Sequence, residues 1–129
     1  MAASLGLTAS LGIAQALACT PGDQACPVLL TMKAGASVIE ATGTVSRERP
    51  IFYFKFVAEA GQTVMVHTTG GGLKTGPGIP IAGPSGAQDA LDEDTPYTAP
   101  ASGPYVIELH ANTMSDGPFG PFRLRLRIK

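Results

Sequence analysis

The sequence has few of the residues that enzymes use for chemistry. It contains two histidines, His67 and His110, and it has no Gly-x-Ser-x-Gly motif that would expose a nucleophilic serine at a tight turn. His110 shares a strand face with Glu108, which is able to orient an imidazole, but exposed strand histidines are the simpler interpretation. We therefore predict no catalytic residues, no cofactor and no enzymatic activity.

An excess of either charge is also missing. Charged residues make up 15% of the chain and the net charge is -1, which gives no general attraction to nucleic acid. No run of eighteen strongly apolar residues follows Cys19, so no membrane span is expected there. A content of 44% apolar residues in a chain of 129 is typical of one globular domain.

The N-terminal segment has features of an export signal. Residues 1–18 carry no charge and end in Ala16-Leu17-Ala18, the small-x-small pattern that signal peptidase cleaves. The first basic residue is Lys33, so the basic start of a signal peptide is lacking, and an amphipathic N-terminal helix is the alternative. We predict a signal peptide at 1–18 and a single domain at 19–129, in a periplasmic or secreted protein.

The two cysteines bracket a short, turn-rich stretch directly after the predicted cleavage site. In an oxidising compartment, Cys19 and Cys26 would close a small disulfide loop. Cys19 also stands where a lipoprotein carries its acyl chain, although Ala16 occupies the position where leucine is usual. Two free thiols are a third alternative. Two cysteines alone lack the other ligands of a metal site, so no metal is predicted there.

Short alternating segments separated by turn residues make up the rest of the chain. Sixteen glycines and eleven prolines favour short strands over long helices. The stretch 70–96 is rich in glycine and proline and is expected to contain one or two short strands, near Leu73 and Ile79–Ala82. The other predicted strands are Val28–Lys33, Val38–Val45, Ile51–Val57, Thr63–Thr69, Tyr105–Ala111 and Phe122–Lys129, which makes seven or eight in all, and the corner before Tyr105 begins with a further short extended segment at Tyr97.

Seven or eight short antiparallel strands, each with one apolar face, must bury those faces against one another. The sequence therefore predicts an all-β fold, an antiparallel β-sandwich of jelly-roll type. Phe52, Phe54 and Phe56 share one strand face and are expected to enter the core together.

The last predicted strand alternates most regularly. Phe122, Leu124, Leu126 and Ile128 point one way, and Arg123, Arg125, Arg127 and Lys129 point the other. The guanidinium fork suits carboxylate or phosphate, so one interpretation is an anion-binding face. The other is a solvated outer face whose arginines pair with glutamates on neighbouring strands.

An acidic run, Asp89–Asp94, contains four carboxylates. Converging carboxylates bind Ca²⁺, but this run lacks the spacing of a calcium-loop motif. We interpret it as a solvated loop, with weak calcium binding or a partner surface as alternatives.

Several segments share features with a known group of secreted bacterial proteins. They are Lys33–Ser37, Thr42–Thr44, Phe52–Phe54, Ala60–Val64, Gly76–Ile79, the corner Tyr97–Tyr105 and the final strand Phe122–Lys129. Together they resemble the periplasmic inhibitors of g-type lysozyme, within a wider set of β-sandwiches related to bacterial prepeptidase C-terminal domains. Ala-Gly-Gln-Thr and Ala-Ser-Gly-x-Tyr recur across the wider set, whereas Gly-Pro-Gly-Ile is closer to the inhibitors.

The resemblance implies a non-enzymatic binding protein. In such inhibitors, loops of the sandwich plug the substrate cleft of the lysozyme. Ser102, Gly103 and Tyr105 match the Ser-Gly-x-Tyr element of the family and are the expected contacts.

The loop before the last strand departs from the family. Inhibitors tend to carry basic residues there, but 112–118 has none. We expect Asn112 and Asp116 to face the partner at the same end of the sandwich as Ser102. Asp116 would then repel a catalytic carboxylate, so that Asp116→Arg would strengthen inhibition. The alternatives to a g-type lysozyme partner are a carbohydrate- or peptidoglycan-binding accessory module and a structural envelope protein.

Overall fold

The computed structural model describes residues 19–86, 88–114 and 116–129. The predicted signal peptide at 1–18 lies outside the described residues. Within those ranges the chain forms ten strands and no helix, so no helix is present there that could cross a membrane. The strands are β1 (Val28–Leu29), β2 (Val38–Val45), β3 (Ile51–Ala58), β4 (Thr63–Gly70), β5 (Leu73–Lys74), β6 (Ile79–Ala82), β7 (Gln88–Leu91), β8 (Tyr97–Thr98), β9 (Gly103–Ala111) and β10 (Gly120–Ile128).

The strands are arranged in two sheets that bury a common core. One sheet has the order β1-β3-β9-β6-β7, with β5 also paired to β9, and the other has the order β2-β10-β4-β8. The pairs are antiparallel except for β1 and β3, which run parallel. The predicted all-β antiparallel sandwich is therefore confirmed, while the jelly-roll connection pattern stays a prediction.

Two regions differ from the sequence prediction. The first strand, predicted over Val28–Lys33, is limited to Val28–Leu29, whose pairing with β3 ends with a hydrogen bond from the Leu30 amide to the carbonyl of Lys55. The acidic run, expected as a loop, begins within β7, which pairs with β6. Only Leu91 of β7 is buried and the other three residues are exposed, so this strand has no alternation for the sequence to reveal. In the described ranges the strand count is ten rather than seven or eight.

Alternating residues of the central strands build the core. Phe52, Phe54 and Phe56 on β3 are 5%, 0% and 0% exposed, so the prediction from their shared face is confirmed. Phe122 on β10 meets two of these rings edge-on from the opposite sheet, with centroids 5.2 Å from Phe52 and 6.1 Å from Phe54. Such edge-to-face pairs add to the stabilisation from burial. The predicted inner face of the final strand is likewise buried, at Phe122, Leu124, Leu126 and Ile128.

The N-terminal loop closes one end of the sandwich. Cys19 and Cys26 form the predicted disulfide. Arg49 donates a hydrogen bond to the carbonyl of Pro21 in this loop, and its guanidinium lies over the ring of Phe52, 4.9 Å from the centroid. The loop is thus fastened to the turn between β2 and β3, at the edge of the aromatic core.

Candidate functional site

The residues matched to the Ser-Gly-x-Tyr element lie at the corner where β9 begins. Ser102 is exposed, and its hydroxyl oxygen accepts a hydrogen bond from the Ala60 amide at 2.9 Å, which leaves its own O–H available to a partner. Tyr105 is 1% exposed and stacks on Phe56 with centroids 5.7 Å apart. Its hydroxyl donates to the carbonyl of Ala101 and accepts from the amide of the same residue. Tyr105 therefore fixes the corner from inside the core, and its ring does not reach the surface.

Gly103 allows the corner to pack against the turn between β6 and β7. Its φ is 141°, and a Cβ at this position would lie 2.8 Å from the Cβ of Pro84. Both features favour glycine. The backbone at Gly103, directly after Ser102, therefore lies close against Pro84.

The loop between β9 and β10 lies at the opposite end of the sandwich. Asn112 donates its amide to the carbonyl of Gly72 at 2.8 Å, and its side-chain oxygen accepts from the Met114 amide at 3.1 Å. Asp116 is exposed. The nine residues of β9 separate this loop from Ser102, which corresponds to about 30 Å of extended chain. The expectation that Ser102 and Asp116 meet at one end is therefore wrong.

The arginine stripe of β10, made of Arg123, Arg125 and Arg127, lies on the outer face of the four-stranded sheet. Arg125 directs Nε and Nη2 to one oxygen of Glu40 on β2, at 3.1 and 2.9 Å. For Arg125 this confirms pairing with a glutamate on a neighbouring strand, an exposed contact that contributes up to about 1 kcal/mol. Within the described ranges, Arg123 and Arg127 make no ion pair. Anion binding by this face stays a prediction.

The acidic run divides into two parts that contact different strands. Asp89 on β7 accepts a hydrogen bond from the phenol of Tyr97 at 2.7 Å. Burial, followed by this hydrogen bond and the charge of Asp89, raises the pKa of Tyr97 to about 12. Farther along, Glu93 and Asp94 turn toward His67 on β4, whose Nδ1 lies 3.5 and 3.0 Å from their carboxylate oxygens. Three carboxylates of the run thus make specific contacts with Tyr97 and His67, which the sequence of the run does not indicate.

The two histidines have carboxylates as their hydrogen-bond partners. Nε2 of His110 lies 2.9 Å from Oε1 of Glu108, the pairing that their shared strand face indicates, and His67 contacts Asp94. The cysteines are joined to each other. In the part of the chain that the structure describes, each histidine therefore contacts a carboxylate and neither contacts a cysteine. A cysteine–histidine pair, in which the imidazole activates the thiol as a nucleophile, is not formed there.

A six-stranded sheet packed on a four-stranded sheet defines a small β-sandwich of the kind found in periplasmic lysozyme inhibitors. PliG from Salmonella Typhimurium, a periplasmic lysozyme inhibitor of g-type lysozyme, matches with a TM-score of 0.62 and 19% identity, over 79% of this chain and 96% of that chain. A mutant of the Escherichia coli PliG gives 0.60 and 20%, over 79% and 96%. Aeromonas hydrophila PliG gives 0.56 and 23%, over 79% and 95%. No protein family and no curated protein matches the sequence. The structural likeness, at 19–23% identity, therefore establishes the fold alone.

Proposed function

We propose that the protein is a non-enzymatic inhibitor of g-type lysozyme that acts in the periplasm or outside the cell. The observation that carries the proposal is the fold likeness to three PliG inhibitors, which spans 79% of this chain and at least 95% of each of theirs. The Cys19–Cys26 disulfide is in keeping with an oxidising compartment. Because one fold hosts many functions, the proposal also needs a contact site.

The corner loop around Ser102 is the segment that we assign to the lysozyme cleft. Tyr105 fixes this loop from inside the core, so little conformational entropy is lost when the loop binds. The O–H of Ser102 is free to donate to a catalytic carboxylate, and hydrogen bonds to charged groups are among the strongest. In this proposal Ser102 and Gly103 touch the enzyme, and Tyr105 positions them.

Inhibition of purified enzymes tests the proposal directly. The mature protein is titrated against g-type, c-type and i-type lysozymes, with lysis of cell walls as the readout. Inhibition of the g-type enzyme with one-to-one stoichiometry is expected. If micromolar protein leaves g-type lysozyme fully active, the inhibitor proposal is wrong.

A peptidoglycan-binding accessory module is the second candidate, and the arginine stripe of β10 favours it. A shallow depression on β10 is lined by Arg123 and Arg125, together with Glu40, His67 and Thr69. Guanidinium groups there would suit the carboxylates of wall peptides. A module of this kind should sediment with peptidoglycan, lose that property in Arg123→Gln and leave lysozyme active. Co-purification with envelope proteins instead would indicate a structural role.

The state of Cys19 decides how the protein is retained in the envelope. A disulfide and a thioether-linked lipid require the same sulfur atom, so the Cys19–Cys26 bond and a lipid anchor exclude each other. We expect the mature chain to carry the disulfide. Mass spectrometry of unreduced protein should give a mass lower than that of the dithiol by two hydrogens. A diacylglyceryl mass on Cys19 would show a lipoprotein instead.

A further inference from the structure

Three metal-ligating atoms converge on the outer side of the four-stranded sheet. Nδ1 of His67 lies 3.0 Å from Oδ2 of Asp94 and 3.5 Å from Oε2 of Glu93, and all three atoms are within 4.8 Å of one another. Ligands bound to zinc at about 2.0 Å in a tetrahedron are about 3.3 Å apart. The two distances from Nδ1 of His67 are close to that value, and the two carboxylate oxygens lie within 4.8 Å of each other.

Contacts outside the cluster hold its members in place. The amide of Asp94 donates to the carbonyl of Val66 at 2.8 Å, so the acidic segment lies along the edge of β4. Oε2 of Glu93 accepts hydrogen bonds from the amide and the hydroxyl of Thr68, at 2.6 and 3.0 Å. Outer contacts of this kind orient the ligands of metal sites.

The arginines next to the cluster do not form ion pairs with its carboxylates. Arg125 and Arg127 line the same depression, of about 280 Å³, as His67 and Asp94. Arg125 is nevertheless bound to Glu40 on the other side. In the described ranges His67 is the only basic residue that pairs with Glu93 or Asp94. In the described ranges the two carboxylates are thus ion-paired only with the imidazole, while the guanidinium groups of Arg125 and Arg127 line the same depression without pairing with them.

We propose that His67, Glu93 and Asp94 bind a divalent transition-metal ion, and that zinc is the best match. An imidazole with two carboxylates suits Zn²⁺, whereas Ca²⁺ takes a larger set of oxygen ligands. Three protein ligands leave a coordination position for water or for a group from a partner. The site uses residues other than those assigned to lysozyme contact, so it stands independently of the proposed function.

Calorimetric titration of the untagged, folded protein with zinc chloride at neutral pH tests the site. One ion per chain is expected to bind. His67→Gln and Asp94→Asn should each weaken binding about tenfold or more, because even the loss of an outer contact weakens metal binding by that factor. Asparagine is chosen at 94 because the φ of Asp94 is 61°, a left-handed conformation that asparagine tolerates. His110→Gln is the matched control, since the other histidine faces one carboxylate, Glu108, and its zinc affinity should equal that of the wild type.

Nuclear magnetic resonance provides a second readout. With two histidines in the chain, the spectrum of His110→Gln assigns both rings. Zinc should shift the ring signals of His67 and leave those of His110 in place. The proposal is overturned if submillimolar zinc does not bind, if His67→Gln binds zinc as tightly as the wild type, or if Ca²⁺ binds as tightly as zinc.

Discussion

At the residue scale, Phe54 joins the two sheets. Its side chain is 0% exposed, and its ring lies 4.9 Å from that of Phe52 and 6.1 Å from that of Phe122 on the opposite sheet. Phe54→Ala would remove these contacts and leave a cavity, so the free energy of unfolding should fall by about 3–5 kcal/mol. Urea unfolding measures the loss. The control is Val57→Ala on the same strand, where a side chain that is 62% exposed should change stability by at most about 0.5 kcal/mol. Equal losses would contradict the assignment of Phe54 to the core.

Tyr97 makes stability depend on pH in the alkaline range. Its hydrogen bond to Asp89 connects β8 to β7, and burial, that bond and the carboxylate charge raise its pKa from 10.0 to about 12. The folded state therefore holds the phenol proton more tightly than the unfolded state does. The resulting stability is present below pH 10.0 and is lost as the pH rises to about 12, because the unfolded chain releases the proton first.

Removal of the carboxylate tests this explanation. Asp89→Asn should lower the pKa of Tyr97, although burial, the largest cause, should keep it above 10.0. Ultraviolet absorbance of the phenolate follows the titration in the folded protein, and Tyr97→Phe identifies the signal. A titration curve in Asp89→Asn that matches the wild type would show that the carboxylate has no part in the shift.

At the scale of elements, the turn between β4 and β5 packs tightly under the loop between β9 and β10. Gly72 has a φ of 58°, and a Cβ there would lie 2.8 Å from the carbonyl oxygen of Gly117 and 2.8 Å from the Cα of Pro118. Gly35, with a φ of 81°, has no atom within 4 Å of the same construction. Gly35→Ala therefore carries backbone strain alone, whereas Gly72→Ala adds a steric clash.

The two substitutions should differ in stability for that reason. Gly35→Ala is expected to lower the free energy of unfolding by about 1 kcal/mol, and Gly72→Ala by about 2 kcal/mol or more. Urea unfolding of both variants gives the comparison. If Gly72→Ala is no less stable than Gly35→Ala, the two loops do not pack as closely as described.

The strands that the sequence predicts correctly are those with one buried and one exposed face. β3 and β10 alternate over their whole length, so their inner faces follow from the period of two, and their limits differ from the predicted ones by one or two residues. β7 has one buried residue, Leu91, and becomes a strand only because β6 is beside it. Tyr105 is an intermediate case. Its strand can be predicted from the sequence, but its burial depends on Phe56 of the neighbouring strand.

At the scale of the whole molecule, closeness in sequence and closeness in space diverge at both candidate sites. Ser102 and Asn112 flank a single strand, and because an extended strand is long for its residue count, they end up far apart. His67 and Asp94 are 27 positions apart and become neighbours only because the acidic segment lies along β4. Sequence reasoning identifies these residue types, but sheet pairing decides which of them meet.

The two ends of the sandwich make opposite predictions for lysozyme inhibition. If the corner loop enters the cleft, Ser102→Ala removes a donor to a charged group and should weaken inhibition about tenfold or more. Ser46→Ala is the matched control, because the hydroxyl of Ser46 also accepts a hydrogen bond from a backbone amide, that of Arg49 at 3.1 Å, and the substitution should leave inhibition unchanged.

Asp116→Arg, which would strengthen inhibition if both loops met the enzyme, should have no effect, because β9 separates Asp116 from the corner. Inhibition constants for the three variants decide the matter. If Ser102→Ala inhibits as strongly as the wild type while Asp116→Arg shifts the constant, the lysozyme contacts the opposite end and the corner loop is not its binding site.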